Sequence, residues 1–211
     1  MGLAVALGHG WAGDKLVATY ETERQPVGMR AVNEALRDYD RLTSNTRYPN
    51  IADETEEGMR VRGELGARLS SANRRVWEPI GIHLGYRYDS SPIVVGDGTR
   101  PPEDDEFEYV PNARPGSRAP HAWLVDRRST LDLFGRNFTL LCLGRNGHHA
   151  SKLVEAAETC GMPLDVKHVP EPEVAELYGR SLVLVRPDGH VAWRGGRIDD
   201  PFRIVDAVRG A

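Results

Sequence analysis

Cysteine is scarce: Cys142 and Cys160 are the only two in 211 residues. Two thiols cannot build the disulfide framework of a small secreted domain or a cysteine-based zinc site, and their scarcity fits the reducing cytosol. No run approaches the roughly 18 consecutive apolar residues of a membrane-spanning helix. The short apolar start, Met1 to Leu7, has no basic residues before it and runs into helical sequence, so it reads as mature protein rather than a signal peptide. Basic excess is lacking too, since 27 Lys and Arg stand against 31 Asp and Glu for a net charge of -4. Nucleic-acid phosphates would find no surplus to neutralise them. Neither phosphate-cradling pattern, G-x-G-x-x-G after a strand or G-x-x-x-x-G-K-[ST], occurs, and Gly8-His9-Gly10 is too short to count. What remains is an ordinary folding composition of 40 % hydrophobic and 27 % charged residues, and 211 residues make one domain or two small ones on a prior of about 150 residues per domain.

The first 42 residues read as helices. Gly13-Asp14 looks like the end of one and the N-cap of the next, and Leu16, Val17 and Tyr20 recur on one face. Pro26 suits the first turn of a third helix. There Val27, Ala31, Val32, Ala35, Leu36 and Tyr39 keep the spacing of a buried stripe, opposite a solvated face of Arg30, Glu34, Arg37 and Asp38. Asp53 to Arg75 predicts another helix, weakened by Gly58, Gly63 and Gly66. Ile82, Leu84, Tyr86 and Tyr88 alternate as in a half-buried strand, and Ile93-Val94-Val95 predicts a second, ended by Gly96-Asp97-Gly98. Between Thr99 and Arg118 four prolines and an acidic cluster at 103–108 mark a connection. The domain organisation expected is 1–100 helical with short strands, 101–128 linker and 129–211 a separate domain.

That last domain is regular. Phe138 to Leu143 is apolar on both faces, like a strand covered on both sides. Ser151 to Cys160 is helical, Leu164 to Val169 a strand, Glu173 to Tyr178 a short helix and Ser181 to Val185 a third strand. Pro187-Asp188-Gly189 turns His190 to Trp193 back against it. Asp200 caps a closing helix that begins with Pro201. The order is α/β and thioredoxin-like, yet the redox motif is missing. Gly147-His148-His149-Ala150 stands where C-x-x-C should, and Gly179-Arg180-Ser181 where the facing proline should. Cys142 and Cys160 therefore read as inert. His148, His149, His168 and His190 lack the spacing of metal ligands, so no metal is assigned. His121 reads as a structural histidine, and the 103–108 cluster as a solvated loop without calcium-loop spacing.

Several segments are similar to the C-terminal part of FAD-dependent aromatic hydroxylases of the phenol and polyketide hydroxylase type. Residues 10–27, from Gly10-Trp11-Ala12 through Tyr20-Glu21-Thr22-Glu23-Arg24 to Pro26-Val27, resemble the pattern G-W-A-x-x-x-L-L-x-x-Y-E-x-E-R-x-P-V. Pro79 to Ser90, Pro115 to His121, Leu131 to Gly135 and Leu184 to Arg194 resemble later family segments. The resemblance implies FAD and NAD(P)H as cofactors of the full-length enzymes, and a C-terminal thioredoxin-like domain without a dithiol. It places the flavin-binding motifs upstream of this chain, so no catalytic or cofactor-binding residue can be numbered here and the chain alone is expected to bind no FAD. Two readings follow. One is a truncated or split hydroxylase, inactive alone, with residues 1–100 a remnant of the FAD-binding half. Its partners are that half or a second copy, and an aromatic small molecule reaches it only through that half. The other is a stand-alone, non-redox interaction module.

Overall fold

The computed structural model describes residues 8, 10–43, 47–144 and 150–211. They form two compact units: one of Met1–Gln25, Tyr86–Glu103 and Val110–Ala211, the other of Pro26–Gly85 and Asp104–Tyr109. The helix α1, Asp14–Thr43, contributes to both.

The larger unit is built on four strands, β1 Phe138–Leu143, β2 Leu164–Val169, β3 Leu182–Val185 and β4 Val191–Gly195. Their order is β2-β1-β3-β4. β1 and β2 run parallel from Phe138 opposite Leu164 to Leu143 opposite Val169. β3 is antiparallel to both β1 and β4. The α/β class, the adjacency of the four runs and the closing hairpin are as the sequence predicts. A parallel pair needs a crossover, here α4 (Ser151–Thr159). The β3–β4 hairpin instead needs a tight turn, and Gly189 supplies its positive φ of 82°.

Because side chains alternate along a strand, β1 and β3 each feed two cores. Phe138, Leu140, Cys142, Leu182 and Leu184 pack with α4, with α6 (Pro201–Arg209) and with Trp11 and Leu16 of the chain's beginning. Leu141, Leu143, Val183 and Val185 pack on the other face with α5 (Pro172–Tyr178) and with Ala119, Leu124 and Leu133. Every residue of β1 is buried, which is why it reads as a continuous apolar run. Asp200 caps α6 as expected, its Oδ1 accepting from the Arg203 N–H at 3.0 Å. At the start of α1 the Gly13 N–H donates to the Arg209 carbonyl at 2.9 Å and the Lys15 N–H to that of Gly210 at 3.1 Å.

The smaller unit holds the rest of α1, α2 (Glu56–Trp77) and the short α3 (Ile80–Leu84). Here the structure corrects the sequence reading. Pro26 does not begin a helix but lies inside α1. It forfeits one backbone hydrogen bond, and good helix formers such as Glu23, Arg24, Gln25 and Met29 carry the helix across. The expected buried stripe faces outward, with Val32, Leu36 and Tyr39 exposed and Glu34 buried. Arg37 Nη1 donates to Glu34 at 3.0 Å, and Arg30 pairs with Asp104 at 2.8 Å. The acidic loop is thus engaged rather than merely solvated: Glu106 stands 3.7 Å from Arg37, and Asp105 Oδ1 accepts from the N–H groups of Phe107 and Glu108.

The alternating run from Ile82 is not a strand. Its first part is α3, where a Cβ on Gly81 would lie 1.8 Å from the Asp105 carbonyl oxygen. Tyr86 and Tyr88 follow without regular secondary structure, the Tyr88 N–H donating to the Gly116 carbonyl at 2.9 Å. Ile93 to Val95 likewise forms no strand, and only the Val95 N–H reaches β4, at the Ala192 carbonyl, 2.8 Å away. Alternation in these runs records burial without partners enough for a ladder. The helix expected before Gly13 lies largely outside the described residues.

Candidate functional site

Within the larger unit, one buried ionic node gathers side chains from segments far apart in sequence. Arg186 closes β3 on the turn side. Its Nη1 donates to Glu23 Oε1 at 2.6 Å and its Nη2 to Glu23 Oε2 at 2.8 Å. This two-toothed geometry is the strong form of an arginine–carboxylate pair. Arg186 Nη2 also donates to Asp188 Oδ2 at 2.7 Å, and Ser91 Oγ donates to Glu23 Oε1 at 2.6 Å. Glu23 and Arg186 are both buried, where an unpaired charge would be costly.

His190, at the start of the returning strand, is fully buried. Its ring lies 4.3 Å from the Tyr88 ring and 5.2 Å from that of Tyr86. The Arg186 guanidinium sits 5.2 Å from the Tyr88 centroid, on the ring face. The His190 backbone N–H donates to Asp188 Oδ1 at 3.2 Å, and its ring Nδ1 stands 3.6 Å from the same oxygen, in ion-pairing range but beyond a hydrogen bond. Burial alone would raise the Asp188 carboxyl, but His190 and the Arg186 charge outweigh it and hold that carboxyl well below the usual range. Burial pushes the Tyr88 phenol up. Both ring nitrogens of His190 and the Tyr88 hydroxyl lack a hydrogen-bond partner.

The segment around Gly116 lies along this node. The Gly116 N–H donates to Val191, the Val191 N–H to Ser117 and the Ala119 N–H to Gly189, each at 2.8–2.9 Å. Pro120 receives the Tyr178 hydroxyl at 2.8 Å and the Thr130 hydroxyl at 2.9 Å. A second clasp joins the Gly96-Asp97-Gly98 turn to β4, where Arg194 Nε donates to Asp97 Oδ2 at 2.7 Å and Nη2 to Thr99 Oγ1 at 3.2 Å. Burial of Asp97 would raise its carboxyl, yet Thr99 and Arg194 hold it lowered.

The node ties Glu23, Ser91, Arg186 and Asp188 together through ion pairs and hydrogen bonds. At neutral pH Asp188 is charged and the Tyr88 phenol neutral, beside the paired Arg186 guanidinium. Among the candidates, Cys142 is buried in β1 with its thiol pushed up by burial, and Cys160 caps the end of α4. Both are free thiols. His168 is exposed on β2, and His148 and His149 lie outside the described residues. His121 Nδ1 is 2.7 Å from Ser129 Oγ, and its ring stands edge-on to Trp123. Ser129 and Asp132 cap a short turn reciprocally, giving His121 a structural setting. Among the described residues no group of three His, Cys, Asp or Glu side chains could hold a metal. The sequence between β1 and β2 lacks the three-glycine spacing that lets a pyrophosphate meet a helix N-terminus. Sequence reasoning missed Glu23, Arg186 and Asp188. The available signal was a charged residue on either side of Pro187 at the end of an apolar hairpin strand.

Residues 112–209 match the C-terminal domain of the aromatic-ring hydroxylases. The FAD-dependent monooxygenase apdD of Emericella nidulans is 35 % identical, matching 95 % of this chain and 34 % of its own length. The 2,4-dichlorophenol 6-monooxygenase of Delftia acidovorans is 33 % identical over 89 % of this chain and 38 % of its own. Among solved structures, RebC-10x, described in native and K252c-bound form, superposes with a TM-score of 0.87 at 40 % identity, covering 97 % of this chain and 39 % of that one. The flavin-dependent monooxygenase PieE, solved with FAD and substrate, gives 0.80 at 33 % identity, over 98 % and 41 %. The chain thus spans about a third to two-fifths of the length of the relatives it matches. Glu23, Tyr88, Gly116 and Arg186, which meet around the node, come from four of the segments that resemble the hydroxylases. By sequence and by fold, the chain corresponds to the C-terminal part of the aromatic-ring hydroxylases.

Proposed function

We propose that the chain is the C-terminal portion of an FAD- and NAD(P)H-dependent aromatic-ring monooxygenase, with a structural or subunit-contact role and no hydroxylation of its own. The observation that carries this reading is the node itself, where the hydroxylase-like segments meet in a buried ion pair and not around a reacting centre. Bound flavin would supply the oxygen chemistry, as cofactors do in such enzymes. The residues of this chain supply a rigid platform, with residues 129–211 as a thioredoxin-like domain that has lost any dithiol role. An aromatic substrate is met through the flavin-binding part. Free Cys142 and Cys160 support a cytosolic setting. No described helix is long and apolar enough to cross a membrane.

The test is spectroscopic. The purified chain is expected to be colourless and not to oxidise NADPH, whereas co-expression with the flavin-binding part of a relative should yield a complex carrying flavin. A yellow, NADPH-oxidising preparation of the chain alone overturns the proposal.

A further inference from the structure

The sheet of the larger unit has two edges, and they are finished differently. At β4 the outer edge is covered: the Val95 N–H donates to the Ala192 carbonyl at 2.8 Å, the Gly116 N–H to that of Val191 at 2.8 Å and the Val191 N–H to that of Ser117 at 2.9 Å. At β2, the other edge, the backbone pairs with β1, and among the described residues no backbone bond reaches its outer side. The six residues of this edge present a row of unpaired N–H and C=O groups, which templates a further strand. Edges are commonly blunted by charge, but here the two charges are of opposite sign. The register with β1 places Leu164 and Val166 on the face of Leu140, against the first core, and Asp165 and Lys167 together on the face of Leu141. Asp165 accepts a long bond from Asn137 Nδ2 at 3.3 Å, and Lys167 has no acidic partner among the described residues.

We propose that β2 pairs antiparallel with the β2 of a second copy of this chain, about a two-fold axis at Val166. Directly opposed side chains in an antiparallel pair share a face and interact, so the register decides the match. Centred on Val166, each Asp165 faces Lys167 of the other copy, Val166 faces Val166 and Leu164 faces His168. Centred one residue earlier, the two Asp165 side chains oppose each other; one residue later, the two Lys167 side chains do, and like charges directly opposite destabilise a pair. The strand is thus complementary to itself at one register, as an isologous two-fold contact requires. That self-complementarity singles out a second copy as the occupant, and the contact joins two four-stranded sheets into one of eight. The proposal gives the subunit-contact role a surface and a partner, and it rests on that reading.

The experiment follows the full 211-residue chain by sedimentation velocity over a concentration series, in which the wild type should form a dimer. Asp165→Lys and Lys167→Asp each replace two attractive pairs by two repulsive ones and should weaken that dimer at least about tenfold. Mixed together, the two variants are complementary again and should recover the dimer as a heterodimer, which misfolding of either would not give. A disulfide reports the register. Opposed Cα atoms of an antiparallel pair lie about 4.5–5.5 Å apart, within the about 4.4–6.8 Å that a disulfide spans. In a Cys160→Ser background Val166→Cys should therefore cross-link two copies under diamide, whereas His168→Cys, exposed on the same face, should not. A dimer that persists in both charge variants, or that His168→Cys cross-links and Val166→Cys does not, overturns the pairing and leaves the subunit-contact reading standing. So does a mixture that stays monomeric while both variants keep the wild-type circular dichroism. A wild type that is monomeric throughout the series overturns both, while the flavin test of the proposed function is decided separately.

Discussion

Removing Glu23 should strongly destabilise the larger unit, because it breaks the buried ion pair with Arg186. In Glu23→Leu, Arg186 loses two short charge-assisted hydrogen bonds, at 2.6 and 2.8 Å, and keeps only Asp188 at 2.7 Å. Ser91 loses its acceptor as well. Because Arg186 is buried, the expected cost is about 3–5 kcal/mol, the usual penalty for leaving one member of a buried pair. That is a large part of the roughly 5–15 kcal/mol that stabilises a typical domain. Arg186→Met should cost a similar amount, since Glu23 would then keep Ser91 alone. The double variant Glu23→Leu, Arg186→Met removes both charges, and its cost should fall well short of the sum, with a coupling of at least about 1–2 kcal/mol. Urea unfolding followed by far-ultraviolet circular dichroism gives all three values. Single variants costing under about 1 kcal/mol, or a double variant equal to their sum, would refute the claim that the pair acts as one buried unit.

Three further outcomes follow from the geometry. The Asp188 carboxyl is held below its ordinary value in the folded chain, so the unfolded state binds the extra proton. Its stabilisation is complete above the unfolded carboxylate range near about 4 and is lost as pH falls through the lower folded value; melting temperature should therefore drop less steeply below about pH 4 in Asp188→Asn than in the wild type. A Cβ on Gly63 meets open space whereas one on Gly58 would lie 2.1 Å from the Asp53 carbonyl oxygen, so Gly63→Ala should stabilise α2 by up to about 1 kcal/mol while Gly58→Ala destabilises it, as thermal melts of the two variants would report. Finally, Cys142 is buried in β1 with a raised thiol and Cys160 sits at a helix end, so the chain should not reduce insulin with dithiothreitol; activity that disappears in Cys160→Ser would refute this.

The C-terminal strands were legible because their burial is complete. Where both faces of a strand are covered, as in Phe138–Leu143, composition alone marks it, and Gly189 and Pro201 announce turn and helix by backbone chemistry. The N-terminal helix was legible as a helix but not in its orientation. Periodicity tells that Val32, Leu36 and Tyr39 share a face, whereas which face turns inward depends on what lies against it, and here Glu34 does. The node was illegible for another reason. Glu23 and Arg186 are 163 residues apart, and neither belongs to a local pattern that names its partner. Asp188 could be read as a turn residue, but its bond to Arg186 is invisible until the hairpin is folded.

The clasp between α1 and the chain's last turn bears on how this protein is made. Lys15 Nζ donates to the Ala211 carbonyl at 2.9 Å across 196 residues, beside the backbone bonds from Gly13 and Lys15 to Arg209 and Gly210. At about 5–20 residues per second, a ribosome needs about 10–40 s to traverse that distance. Throughout that interval Trp11 and Leu16 lack the α6 side of their core. Closing so long a loop is slow compared with forming local helices, so the start of α1 waits for α6 to complete its packing. The larger unit can therefore complete its fold only after Arg209, Gly210 and Ala211 have left the exit tunnel.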